Sequence, residues 1–142
     1  TNIELDLSIY LQDYPKAEPF TYTWSDQKIT RIPFVWEDDL LLERDNAKME
    51  IDYLNGFSGY AIADFHPVHI YLNSHDMNNY NALKLEVGDL KTASESVAEK
   101  YRSEERGIGN LFQETVDQLA SQGNSERIID LYQNWKLKST AS

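Results

Sequence analysis

Asp64-Phe65-His66-Pro67-Val68-His69 is the densest polar cluster in an otherwise apolar stretch of the chain. A histidine with a carboxylate beside it has a fixed tautomer and a raised pKa, which is what an acid–base histidine requires. Along an extended strand, positions 64, 66 and 68 share a face and His69 points the other way, so the spacing predicts Asp64 next to His66. A histidine at a strand end can equally do no more than bond a backbone carbonyl, and spacing alone leaves both readings open. A metal pair from His66 and His69 needs a helical or irregular backbone, because a strand sets them on opposite faces. His75, the third histidine, adds less.

Arg31-Ile32-Pro33-Phe34-Val35-Trp36-Glu37-Asp38-Asp39 is a second cluster. Arg31 is a fixed cation suited to binding or orienting a carboxylate at the mouth of a pocket. The plainer alternative is a surface salt bridge. Glu37 and Asp38 could suggest glycosidase carboxylates, but adjacent residues rarely face each other across a sugar. Tyr22, Trp24, Phe34, Trp36, Phe57, Tyr60, Phe65 and Tyr71 concentrate in the first half. Most belong in a core, while Phe34, Trp36 and Phe65 are the candidates for stacking on a sugar ring. No serine nucleophile elbow, phosphate loop, dinucleotide fingerprint or zinc-protease helix occurs.

These residues sit in a chain of 142, for which one domain is the prior. Its 13 basic and 24 acidic residues leave a net charge of −11, which argues against nucleic acid and anionic membrane as partners. The hydrophobic content of 41% supports a core. No apolar run reaches the roughly 18 residues of a membrane span. The first residues have no signal-peptide character, and cysteine is absent, which excludes disulfides and cysteine chemistry. A reducing, cytoplasmic location fits both.

Ile3 to Leu11 alternates at period two and predicts a strand. Ile29 to Trp36 predicts a second, demoted to an edge, bulge or strand end by Pro33. Tyr60 to Leu72 predicts a third. The acids of 37–39 before Leu40-Leu41-Leu42 suit a helix N-terminus, and Asn55-Gly56 reads as a turn. Thr92 and Glu95 have capping-box spacing. Ile108, Leu111, Phe112, Thr115, Val116 and Leu119 mark one helical face, stopped at Gln122-Gly123-Asn124. Ile128, Ile129, Leu131, Tyr132 and Trp135 predict a last helix. The pattern is α/β: residues 1–87 form a strand-rich part with the candidate site, and 88–142 a helical part of the same domain. Three strands are few, since a closed barrel takes about 200 residues or more. The chain is therefore a small α/β domain or part of a larger one.

Asp6-Leu7-Ser8-Ile9-Tyr10-Leu11, the 31–39 segment, Asp64 to Asn73 and Gly109-Asn110-Leu111-Phe112, in that order, resemble the C-terminal half of polysaccharide deacetylase-like proteins. The likeness is to a branch associated with bacterial surface polysaccharides. It implies part of a distorted (β/α)7 barrel, with a helical C-terminal tail. It implies removal of N- or O-acetyl groups from a polysaccharide with a divalent metal, usually zinc. The family's Asp-Asp and His-x-x-x-His motifs lie in its N-terminal half. Asp38-Asp39 comes in the wrong order to be the former, so metal ligands are expected outside this chain. The resemblance gives Arg31 and Pro33 the groove wall and base-orienting role, His66 the role of general acid, and Asp64 that of tuning it. The implied partners are an acetylated polysaccharide and the missing N-terminal half of the barrel. A non-catalytic carbohydrate binder and an acidic α/β interaction module are the alternatives.

Overall fold

The computed structural model describes residues 3–11, 17–44, 47–50, 59–123 and 125–140. They fall into two units. The first takes 1–36, 54–63 and 119–142, and the second takes 37–53 and 64–118.

In the first unit, β1 (Leu5–Asp6), β2 (Phe20–Trp24) and β3 (Gln27–Arg31) form a sheet of order β1-β3-β2. β2 and β3 are an antiparallel hairpin. Its turn residues Ser25 and Asp26 both take positive φ, 45° and 67°, the handedness that matches the twist of the strands it joins. β1 runs parallel to β3, with Leu5 opposite Thr30. The long alternating strand expected from Ile3 to Leu11 is thus only two residues of regular ladder. Its direction still continues: the N–H groups of Thr30, Ile32 and Phe34 donate to Glu4, Asp6 and Ile9. Pro33 interrupts, because it has no N–H to give. Ile32 is the centre of this unit's core, with Leu131 and Tyr132 of α6 (Ile128–Thr140) and with Leu5, Tyr60, Ile62 and Ile128. Burying an aliphatic side chain of this kind contributes about 1.5–3 kcal/mol.

The second unit holds α1 (Asp38–Leu42), α2 (Pro67–Leu72), α3 (Asn78–Val87), α4 (Glu95–Ala98) and the start of α5 (Ile108–Gln122). Two 3-10 turns, Leu90–Thr92 and Glu99–Tyr101, flank α4. β4 (Trp36–Glu37) leads into α1 and pairs with β5 (Ala63–Asp64). Leu72, Leu83, Ile108 and Leu111 are fully buried. α2 stops at Asn73, whose left-handed backbone (φ 47°) turns the chain. The Asn73 amide donates to the carbonyls of Ser103 (3.2 Å) and Glu105 (2.7 Å), and its oxygen accepts from the N–H of Asn110 (3.2 Å).

The third predicted strand is corrected most. Only Ala63–Asp64 is strand, and Pro67 opens a helix where an extended backbone was expected. Proline at the first helical position has its φ already set and loses no hydrogen bond there, so it starts α2 at low cost. The capping box at Thr92 does not form: Ser94 precedes α4, and the Thr92 hydroxyl donates to the carbonyl of Asp89. β2 and α3 were not anticipated. Asn55-Gly56 lies outside the described residues. α5 runs as expected and ends before Gly123, at φ 62°. The chain is mixed α/β, with no closed barrel among the described residues. No helix among them is long and apolar enough to cross a membrane.

Gly107 and Gly109 are required by close approach. A Cβ on Gly107 would lie 2.1 Å from the carbonyl oxygen of Asn73, and one on Gly109 2.7 Å from that of Ile70. Gly107→Ala is expected to destabilise by more than about 2 kcal/mol. Gly123→Ala, with open space around its Cβ, should cost less. Urea denaturation of the two variants compares them; equal stabilities would show that the Gly107 segment gives way freely.

Candidate functional site

Within the second unit, β4 and α1 deliver three consecutive acids, and α2 delivers two histidines on one helical turn. His66 is the N-cap residue of α2, with extended backbone, and His69 lies within the helix. Their rings are edge to face with centroids 6.1 Å apart. The opposite-face relation expected of a strand is therefore replaced by helical neighbours.

Asp38 sits where α1 begins and has no solvent exposure. One carboxylate oxygen lies 2.6 Å from Nδ1 of His66, and the other accepts the backbone N–H of His66 at 2.8 Å. The backbone N–H of Asp39 donates to the first oxygen at 2.9 Å. A carboxylate can only accept, so Nδ1 carries a proton and Nε2 faces away from the dyad. Burial pushes the Asp38 carboxyl pKa up, opposed by its bonds from the His66 ring and backbone. For His66, burial works to lower the ring's pKa. The hydrogen bond to Asp38 and the charges of Asp38, Asp39 and Asp64 outweigh it, and the net direction is upward. Burial likewise raises the Glu37 carboxyl, with Asp39 adding to it.

A second polar set adjoins the first. Nε2 of His69 is 2.7 Å from Oδ1 of Asp39, and its Nδ1 is 3.0 Å from the Ser74 hydroxyl. Oδ1 of Asp39 is shut off from solvent and completes no hydrogen bond, so its close contact with His69 is bent away from the ring's N–H direction. The same oxygen is 3.7 Å from Nδ1 of His66.

Asp64, the residue expected beside His66, is exposed in β5 and acts on the ring through its charge, while Asp38 makes the hydrogen bond. Phe65 is half-buried with its ring edge-on to Phe112, centroids 5.3 Å apart. Arg31, Phe34 and Trp36 belong to the first unit. Nε of Arg31 donates to Asp6 at 2.6 Å and its guanidinium lies over the Tyr22 ring. Phe34 stacks at a tilt on Tyr10, and Trp36 is half-buried in β4. Asp38, Asp39 and Ser74 had not been assigned to the site. The 28 positions between Asp38 and His66 follow no helical or strand period, so their pairing left no local signal.

Residues 1–84 match the family model of WbmS-like polysaccharide deacetylases. The chain belongs to this family. A solved structure from Bordetella bronchiseptica, described as a candidate polysaccharide deacetylase involved in O-antigen biosynthesis (WbmS), is similar with a TM-score of 0.64 and 21% identity. The match covers 81% of this chain and 46% of that one, so the chain spans about half the length of that relative. At this identity the likeness speaks for the fold. No curated protein matches.

Deacetylases of this kind generally use a divalent metal. Glu37, Asp39 and His66 bring one ligand atom each within 4.8 Å of one another. They do not fit a catalytic ion. The His66 nitrogen that faces the acids is Nδ1, already taken by Asp38, and Asp38 is fixed by two backbone N–H groups. A cation there would have to displace a fully buried carboxylate, and two carboxylates alone fall short of the three protein ligands of a catalytic zinc. Calorimetric titration of the chain with zinc at neutral pH should therefore show only weak binding. A tight one-to-one site lost in His66→Ala or Asp39→Asn would move the metal into this chain.

The Asp38–His66 pair also sets a pH dependence. The folded pKa of His66 lies above its ordinary 6.5. Its contribution to stability is complete below about pH 6.5 and disappears as pH rises through the folded value. Stability should thus fall across that window in the wild type and fall less in Asp38→Asn. Urea midpoints on both sides of the window test this, and identical slopes in the two proteins would contradict it.

Proposed function

We propose that this chain supplies the acid-bearing part of a metal-dependent deacetylase acting on an acetylated bacterial surface polysaccharide, within a (β/α)7-type barrel. Family membership supports the reaction class, and one observation supports the role of this chain: a fully buried carboxylate bonded to a half-exposed histidine once at its ring Nδ1 and once at its backbone N–H. The metal, with zinc as the family's usual choice, and the catalytic base then come from residues outside this chain. So does the rest of the barrel.

Hydrolysis of an acetamide or acetyl ester requires a proton on the leaving nitrogen or oxygen as its bond to the acetyl carbon breaks. Otherwise an amide or alkoxide anion is expelled, which is slow. His66 is suited to that step. Asp38 holds Nδ1–H, so Nε2–H is the proton available to transfer, and the upward shift of the ring's pKa favours the form that carries it. With water added to the acetyl carbon and its proton taken by the base, the transfer breaks the bond to the leaving atom. It leaves neutral imidazole, the acetyl group as acetic acid, which ionises to acetate, and the free amine or alcohol of the sugar. The Asp38 carboxylate stabilises the imidazolium before transfer and fixes the tautomer afterwards. Asp64 assists through charge. Arg31, in the Arg-x-Pro segment, has the family's base-orienting role in this reading, with Asp6 steadying it. Phe34, Trp36 and Phe65 contribute aromatic surface for the polysaccharide.

In the full-length protein, His66→Ala should lower kcat by roughly 10²–10⁴-fold with KM little changed, since a general acid acts in the transition state. Acetate release from an acetylated hexosamine oligomer, measured beside the melting temperature, tests this. Full activity in a folded His66→Ala variant would make His66 structural, and an inactive wild type would sink the deacetylase reading.

A further inference from the structure

Asp39, His69 and Ser74 follow the order of a hydrolase triad, yet the arrangement cannot act as one. Ser74 has no exposure and His69 only 1%, so no substrate reaches the hydroxyl. What the set does reach is the acid. Asp39 Oδ1 stands between the two imidazoles, 2.7 Å from His69 Nε2 and 3.7 Å from His66 Nδ1. His69 is fixed from the other side by the Ser74 hydroxyl and by the Tyr80 ring, whose centroid is 4.9 Å away. Ser74 in turn donates its N–H to the carbonyl of His69 and accepts the N–H of Ile108 on its own. A buried carboxylate oxygen with no hydrogen bond of its own is costly to hold at this place. The His69 ring nitrogen stands beside it at 2.7 Å.

We propose that His69 is a positioning residue: anchored by Ser74, it holds the Asp39 carboxylate at the flank of the His66 imidazole and so sets the orientation and charge environment of the acid. The inference rests on His66 as the acid of the proposed deacetylase, but His66 can be observed directly, without turnover. Its ring faces Asp38 and Asp39 from α1, Glu37 from β4, Asp64 from β5 and His69 from its own helix. Asp38 is held by backbone N–H groups, whereas Oδ1 of Asp39 has the His69 ring nitrogen at 2.7 Å and no hydrogen bond.

The amide nitrogen of glutamine can stand where Nε2 of histidine stands, and that of asparagine where Nδ1 stands. His69→Gln therefore keeps a donor towards Asp39, and His69→Asn keeps only the side towards Ser74. Ring-proton resonances of His66, followed by NMR against pH, read the result. The expected outcome is a lower His66 titration midpoint in His69→Asn and in Asp39→Asn, and a wild-type midpoint in His69→Gln. In the full-length protein the pH limb of kcat that reports the acid should move with it, while KM stays. A wild-type midpoint in His69→Asn would overturn the proposal, as would equal displacement in both His69 variants, which indicates packing alone. Should His69→Asn fail to fold, Asp39→Asn decides: its side chain is 40% exposed and the change is isosteric, and an unmoved midpoint refutes the role. Absence of deacetylation by the wild type would remove the reaction but leave this comparison intact.

Discussion

The site is organised by one buried charge. Asp38 is withdrawn wholly from water at the first turn of a five-residue helix, and an ionised carboxylate there is tolerable only with several donors around it. Those donors are two backbone N–H groups and the Nδ1–H of His66, and they come from two segments 28 positions apart. The carboxylate needs the imidazole as much as the imidazole needs the carboxylate. The result is that hydrogen bonds to one carboxylate tie the start of α1 to the start of α2. A half-exposed ring attached to such an anchor has one orientation, which is what proton transfer to a substrate requires.

How much of this could be read from the residues depends on the range of the interaction. The α5 face from Ile108 to Leu119 obeys a local period, and the helix is there. The acids ahead of Leu40 suit a helix dipole, and α1 begins at Asp38. The parallel relation of residues 4–11 to 30–34 follows the alternating pattern, but Pro33 breaks the ladder into pieces too short to count as one strand. The two-residue hairpin turn at Ser25-Asp26 was hidden because neither residue is glycine, although aspartate tolerates the left-handed region better than most.

His66 stood out in the sequence, and the carboxylate it bonds did not. Strand alternation favoured Asp64, two positions away. Pro67, which argued for the end of a strand, proved to be the first residue of a helix. That switch moved His69 from the far face to the same turn and opened His66 to a carboxylate that no sequence period connects to it. The aromatic density likewise divides on inspection: Phe34 against Tyr10 and Phe65 against Phe112 are ring pairs that pack as well as display.

Asn73 has a bearing on chemical ageing. Asparagine followed by serine is prone to deamidation, in which the next residue's backbone nitrogen attacks the side-chain carbonyl carbon. Here that nitrogen belongs to Ser74, which is fully buried and donates to the carbonyl of His69, while both Asn73 amide hydrogens and its oxygen are engaged by three other residues. The nucleophile is occupied and the leaving ammonia is tethered. The left-handed residue that closes α2 is therefore held against the reaction to which its sequence exposes it. The aspartate that reaction would leave could not donate to Ser103 or Glu105, so the fold preserves the amide on which its own loop depends.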